Sequence, residues 1–179
     1  MQSSSGNAEA RVRVAYFDDQ VLFREALAIV LEETGAISVV HSSGHGPHDL
    51  RPLLDVPVSA LLVGLDGQSN DPMTTVREAR HSVPELPMCA LVAVERLDRA
   101  REAIAAGCKG AVSTSAALQT LVAALESLSK GQAYVDATLG GRLLAKSVVR
   151  AATARTNGRG QVASDLSSAT SDVEKFELK

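Results

Sequence analysis

Three aspartates follow short apolar runs in the first half of the chain, where their carboxylates could do chemistry. Asp18 and Asp19 come directly after the run Arg11 to Phe17, and Asp66 follows the run Ala60 to Leu65. A carboxylate pair can hold a divalent cation such as Mg²⁺, which takes oxygen ligands. A single carboxylate can act as a nucleophile. These aspartates are the first candidates for a functional site.

A second candidate is a group of histidines in a loop rich in glycine and proline. His41, His45 and His48 stand near Asp49, and neighbouring imidazoles can ligate zinc. Their spacing matches no rigid ligand template. We therefore interpret the segment as a solvated loop and predict neither a metal nor a cofactor.

Composition sets the class of protein. The chain has 179 residues, 45% of them hydrophobic and 22% charged, with a net charge of -3, which is typical of one globular domain with an extension. Cys89 is expected in the core and Cys108 partly exposed, and neither is assigned a redox role. The first residues lack an apolar signal core and no apolar run approaches the ~20 residues of a membrane span. These features predict a cytoplasmic protein without disulfides.

Short apolar runs alternate with segments of helical periodicity from Arg11 onward. Five strand and helix repeats predict an α/β fold with a doubly wound, five-stranded parallel sheet. Ligands bind such sheets at the carboxyl ends of the strands. The predicted strands are Arg11 to Phe17, Ile37 to Val40, Ala60 to Leu65, Met88 to Val94 and Ala111 to Ser113, and the predicted helices are 20–33, 49–54, 74–82, 96–106 and 116–129.

Four fragments of these elements carry a family likeness. They are the pair Asp18-Asp19, the segment LFREALAIVLEE after it, AAGCKGAV at 105–112 and GQAYVD at 131–136. Over residues 11–150 the chain resembles the receiver domain of NarL/LuxR-type bacterial response regulators. The resemblance implies a flavodoxin-like receiver over 11–130 and a linker helix over 131–153.

The resemblance also implies a phosphorylation site, from which this sequence departs. In the family an acidic pair holds magnesium, an aspartate accepts a phosphoryl group, and a hydroxyl and a lysine complete the site. Here the acceptor position is Gly64, the hydroxyl position Val92 and the lysine position Thr114, while the aromatic residue that moves on activation is Ala111. Phosphoryl transfer needs a nucleophile and counter-charges. We therefore predict a degenerate site without enzymatic activity.

Two alternatives stay open for this edge of the sheet. Asp66 lies two residues beyond Gly64 and could be a substitute acceptor, although the step along a strand is about 6.6 Å. Alternatively, the space around Gly64, Val92 and Thr114 could take a small apolar ligand, because glycine and valine make it less polar.

The resemblance implies partners as well. Response regulators of two-component systems commonly dimerise through helices four and five, so Arg99 and the segment with Ala123, Ala124 and Glu126 are candidate contacts. Helix one is a further candidate surface. The expected function is phosphorylation-independent transcription regulation, with a homodimer controlling an attached DNA-binding module.

The two ends of the chain differ from the domain between them. Residues 1–10 are predicted to be disordered, and 154–179 to be a flexible linker followed by an incomplete helix-turn-helix domain. The segment Leu166 to Leu178 resembles the first helix of a LuxR-type reader. Five basic residues and no acid lie between Arg142 and Gly160. We interpret them as an exposed linker, with binding to a phosphate backbone as the alternative.

Overall fold

The sheet is parallel throughout. The computed structural model describes residues 11–46, 50, 52–67 and 71–147. Its strands are β1 (Val12–Phe17), β2 (Ile37–Ser43), β3 (Ala60–Gly64), β4 (Met88–Val92), β5 (Gly110–Ser113) and β6 (Tyr134–Val135). They are ordered β2-β1-β3-β4-β5-β6. This confirms the doubly wound parallel arrangement and adds a sixth strand, in which Tyr134 and Val135 pair with Gly110 and Ala111.

Helices connect the strands at places that local sequence explains. They are α1 (Val21–Glu33), α2 (Pro52–Asp55), α3 (Pro72–Ser82), α4 (Leu97–Ala105) and α5 (Leu118–Ser129). Asp71 caps α3 by accepting a hydrogen bond from the Met73 amide, with proline in the first turn. Gly35 and Gly107, at φ 73° and 108°, follow α1 and α4, where the left-handed conformation of glycine favours a helix end.

The sheet separates two apolar cores, because successive strand residues point to opposite faces. In β1, Ala15 and Phe17 face the core covered by α3 and α4. Val14 and Tyr16 face the core covered by α1 and α5. Every residue of β3 and β4 is buried. Residues at the carboxyl ends of these central strands are therefore held by packing from both sides.

Three expectations differ from the structure. Cys108 is buried, at 4% exposure, because it packs into the core beside α4. Ala124 is fully buried on the sheet side of α5, so it is not an outward residue. The helix predicted over 131–153 begins only at 137, because residues 134–135 join the sheet. A two-residue strand is too short to leave a periodic pattern.

The ends of the chain are described only in part. Residues 1–10 and 148–179, which hold the predicted disordered end and reader helix, lie outside the described residues. The chain divides into two compact units between Gly140 and Gly141, and the described part of the second unit, 141–147, is helical. No helix among the described residues is long and apolar enough to cross a membrane.

Candidate functional site

Asp18 lies at the carboxyl end of β1 and is almost completely buried, at 1% exposure. Its Oδ2 accepts a hydrogen bond from the Tyr16 hydroxyl at 3.0 Å, and its Oδ1 accepts one from the Gln20 amide at 2.8 Å. The Arg24 guanidinium donates to the Asp18 carbonyl oxygen. Burial, and then the nearby charge of Asp18, raises the pKa of Tyr16. The phenol therefore remains a donor, and the carboxylate is held in one orientation.

Gly64, at the end of β3, lies directly beneath that carboxylate. A Cβ atom added to Gly64 would stand 2.0 Å from the Asp18 Oδ2 and 2.4 Å from its Cγ. The Asp18 carboxylate thus fills the space that a side chain at position 64 would need. A side chain at position 64 has no room in this arrangement, and a small apolar ligand around Gly64, Val92 and Thr114 stays a prediction.

The second aspartate of the pair is enclosed by backbone. Oδ1 of Asp19 accepts a hydrogen bond from the His45 amide at 2.7 Å. A Cβ atom at Gly44 would lie 2.9 Å from this oxygen, and one at Gly67 would lie 3.0 Å from the Asp19 Cβ. The loop after β2 and the loop after β3 therefore both approach Asp19 closely at positions where glycine provides the room.

His45 belongs to this edge, so its interpretation as part of a solvated loop was wrong. Its side chain is buried, with Nε2 2.8 Å from the Gly64 carbonyl oxygen and Nδ1 3.0 Å from the Thr75 Oγ1. Because a carbonyl can only accept, Nε2 carries a proton, and in the neutral ring Nδ1 accepts from the threonine hydroxyl. His45 connects β3 to α3.

Of the other members of the histidine group, only His41 belongs to the described residues, and it does not lie in a metal-ligand cluster. His41 packs its ring against Phe17, with 5.2 Å between ring centroids, and His48 and Asp49 lie outside the described residues. Within the described ranges no three His, Cys, Asp or Glu residues are placed to hold a metal ion.

Asp66 lies between the ends of β3 and β4. Its Oδ2 accepts a hydrogen bond from the Ala93 amide at 2.6 Å, and Arg96 donates to its carbonyl oxygen at 3.4 Å. Its Oδ1 is buried and has no hydrogen-bond partner. Burial raises the pKa of the Asp66 carboxyl. Oδ2 therefore holds the carboxyl end of β4. Burial favours the protonated form of the Asp66 carboxyl group.

The raised pKa of Asp66 predicts a pH-dependent effect on stability. Below the ordinary aspartate pKa both folded and unfolded chains are protonated. As pH rises towards the folded pKa, the unfolded chain ionises first and stability is lost. We expect Asp66→Asn, which cannot ionise, to gain stability relative to the wild type from pH 3 to pH 7. Urea unfolding at several pH values measures this difference.

Asp71→Asn is the matched control for this experiment. The hydrogen bond from Arg99 lowers the pKa of Asp71, so its contribution to stability is present above the ordinary pKa and is lost in acid. The control should lose stability relative to the wild type as pH rises, the opposite trend. Parallel curves for the two variants would contradict the assignment for Asp66.

Of the remaining predicted positions, Val92 and Thr114 lie near the same edge, whereas Ala111 lies within β5. Val92 is fully buried, and its carbonyl oxygen accepts a hydrogen bond from the Thr114 amide at 3.1 Å. Thr114 is exposed, and Ala111 is buried within β5. The structure thus brings Asp18, Gly64 and Asp66 together with Val92, while Thr114 lies at the rim.

The residues present do not fit the magnesium ion that the fold implies. Magnesium needs near-octahedral coordination by several oxygens and is commonly held through carboxylates and phosphate. Both Asp18 oxygens already accept hydrogen bonds, and Oδ1 of Asp19 accepts another. Three of the four carboxylate oxygens of the pair thus hold the protein's own side chains and backbone, and Gly64 brings no further carboxylate to this edge.

Asp136, the last residue of the fragment GQAYVD, has a structural role. It is buried, its Oδ1 accepts from the Thr138 and Leu139 amides at 2.8 and 3.1 Å, and its Oδ2 accepts from the Ser113 amide. It therefore caps the helix that begins at 137 and ties it to the end of β5. An aspartate just before a helical segment is a recognisable capping signal.

The predicted dimer contacts on α4 and α5 do not form one free surface. Arg99 donates to the Asp71 carboxylate at 2.9 Å within the same chain. Ala124 is buried, while Ala123 and Glu126 are partly exposed. Two of the four candidates are thus occupied by contacts within the domain.

Comparison with solved structures identifies the fold. A LuxR-family two-component response regulator from Aurantimonas sp. SI85-9A1 matches with a TM-score of 0.70 and 18% identity, over 78% of this chain and 99% of that one. The isolated REC domain of RcsB from Salmonella enterica serovar Typhimurium matches with a TM-score of 0.62 and 20% identity, over 74% and 98%. RcsB dimers bound to DNA match with a TM-score of 0.63 and 19% identity, over 74% and 68%.

These likenesses establish the receiver fold of response regulators for this chain, as the sequence predicted. No protein-family model matches the sequence, and no curated protein is significantly similar to it.

Proposed function

We propose that this chain is the receiver domain of a LuxR-type transcription regulator and that it works without phosphoryl transfer. The observation that carries the proposal is the position of the Asp18 carboxylate, which fills the space over Gly64. A phosphoryl acceptor needs an accessible carboxylate with counter-charges around the incoming phosphate. Here the buried carboxylate is bound by Tyr16 and Gln20.

The residue at position 111 also supports an activity that does not change with phosphorylation. In the receiver family, movement of an aromatic residue reports phosphorylation, and its position here is Ala111, buried inside β5. A domain of this kind can still regulate an attached reader by bringing two copies together, because linked weak contacts to DNA gain from a high effective concentration. The similar RcsB structure, which contains dimers bound to DNA, supports this arrangement.

The proposal predicts that the chain does not accept a phosphoryl group. We expect its intact mass to stay unchanged after incubation with acetyl phosphate and Mg²⁺, with a phosphorylatable receiver domain as the positive control. A gain of about 80 Da, the mass of one phosphoryl group, would overturn the proposal. If Asp66→Asn abolished such a gain, Asp66 would be the substitute acceptor.

A further inference from the structure

Small side chains attach α4 to the sheet. Its two buried residues are Ala100 and Ala103, while Leu97 is only partly buried and Ile104 is 39% exposed. On the other face of the sheet, α5 buries three leucines. Burial stabilises in proportion to the apolar area that is removed from water. The apolar contacts of α4 therefore hold it less firmly than those of α5.

Charged side chains join α4 to α3 at two places. Nη1 of Arg99 donates to Oδ1 of Asp71 at 2.9 Å, and Nη1 of Arg77 lies 3.5 Å from Oδ2 of the same carboxylate. Nη2 of Arg77 donates to Oε1 of Glu102 at 2.8 Å. Arg99 and Glu102 lie three residues apart on one side of α4, whereas Asp71 caps α3 and Arg77 belongs to it. These four residues form the α3–α4 ion network, in which charges of opposite sign alternate.

The α3–α4 ion network depends on its charges. An isolated ion pair at a surface contributes little to stability, but several charges that position one another contribute more. Asp71 is oriented by the Met73 amide that it caps, and the hydrogen bond from Arg99 lowers the pKa of Asp71. Its carboxylate is therefore ionised at neutral pH. All four side chains are between 34% and 56% exposed, so dissolved salt can screen the attraction.

Cys108 lies where release of α4 would expose it. Its amide donates to the Ala103 carbonyl oxygen at 2.9 Å, and its side chain is 4% exposed in the core beside α4. Burial raises the pKa of the Cys108 thiol to about 12, and a buried, protonated thiol reacts slowly. Cys89 is fully buried on the opposite face of the sheet, in the core beside α1 and α5. The two native cysteines therefore report separately on the two faces.

We propose that the α3–α4 ion network is a latch, which holds α4 against the sheet and sets how often this helix opens. Regions with few buried apolar contacts open locally, without unfolding of the whole domain. Breaking or screening the network therefore releases α4 and exposes Cys108. The latch makes the exposure of the strands beneath α4 respond to ionic strength. It goes beyond the proposed function, because it depends neither on phosphoryl transfer nor on association of two copies.

Alkylation of the native cysteines measures the opening. The full chain is incubated with iodoacetamide, and peptide mass spectrometry gives the rate at each cysteine. We expect Asp71→Ser to raise the rate at Cys108 at least fivefold, because serine can still cap α3 but offers no charge to the two arginines. Arg99→Gln, which leaves the cap untouched, should also raise this rate. The rate at Cys89 should stay the same in both variants, since the core beside α5 remains closed.

Arg11→Gln is the matched control variant. It removes another exposed ion pair, in which Nη1 of Arg11 lies 3.5 Å from Oε2 of Glu32, on the α1 side of the domain. We expect this variant to label like the wild type at Cys108 and at Cys89. A rise at Cys108 as large as that of Asp71→Ser would show that loss of any surface ion pair loosens the domain, and the latch would be wrong.

Salt separates the effect of the charges from that of the substitution. Between about 0.01 M and about 1 M salt, the Debye length falls from about 30 Å to about 3 Å. The rate at Cys108 should therefore rise with salt in the wild type and stay constant in Asp71→Ser. An equal salt response in both proteins would contradict the inference. So would equal rates at Cys108 in the wild type and both network variants, or a parallel rise at Cys89, which would mean that the whole domain unfolds.

Discussion

Replacing Gly64 with alanine should lower the free energy of unfolding by about 2 to 3 kcal/mol, since overpacking a core has costs of this order. The added methyl group would meet the Asp18 carboxylate at 2.0 Å. Gly64→Asp should cost about 4 kcal/mol or more, because it also adds a second carboxylate beside a buried one. Urea unfolding followed by circular dichroism measures both values.

A variant of Asp18, the residue that contacts position 64, provides the control for the Gly64 variants. Asp18→Ala alone loses the hydrogen bonds from Tyr16 and Gln20, yet it makes room at position 64. The double variant Asp18→Ala with Gly64→Ala should therefore be more stable than the sum of the single effects allows, with a coupling energy of about 1 to 3 kcal/mol. Two results would contradict this: additive losses in the free energy of unfolding, or a Gly64→Asp chain as stable as the wild type. Either would show that the Asp18 side chain can move away and leave room for an acceptor at position 64.

The second large effect is expected at Asp136. Asp136→Ala removes the acceptor of three backbone amides, those of Ser113, Thr138 and Leu139. Losing a helix cap and leaving a buried donor unpaired should together cost about 3 kcal/mol. Urea unfolding gives the total loss, and hydrogen exchange should show faster exchange in the helix that begins at 137.

Asp136→Asn separates the role of the cap from that of the charge. The amide keeps one oxygen that can cap the helix, so exchange in that helix should rise less than in the alanine variant. The Ser113 amide would then face a donor group, and protection at the end of β5 should fall. Equal exchange in the wild type and both variants would contradict the assignment of Asp136 as the link between β5 and the helix.

The sequence was most informative about the sheet. The apolar runs of β3 and β4 are buried on both faces, so they stand out as continuous hydrophobic segments, and glycines at 35 and 107 mark real helix ends. The acidic pair at 18 and 19 was correctly placed at the carboxyl edge. These features are local, and local sequence therefore suffices to predict them.

Local sequence does not predict how the side chains of the site are arranged. The Asp18 side chain lies over Gly64 although the two residues are 46 positions apart in the sequence. The burial of His45 depends on contact between the loop after β2 and the end of β3. One signal was available: Tyr16 and Asp18 are two residues apart, so they lie on the same side of the strand. Periodicity placed α5 correctly, but the separate expectation that Ala124 is a surface contact was wrong, because alanine suits both faces of a helix.

The interlock of Asp18 with Gly64 also bears on how such a domain evolves. A side chain introduced at position 64 alone would meet the Asp18 carboxylate, so such a sequence should fold less stably than the present one. If the proposed function is right, a change to phosphoryl transfer would need several substitutions at the same time. The contact would then make the present form of the domain difficult to leave by single substitutions.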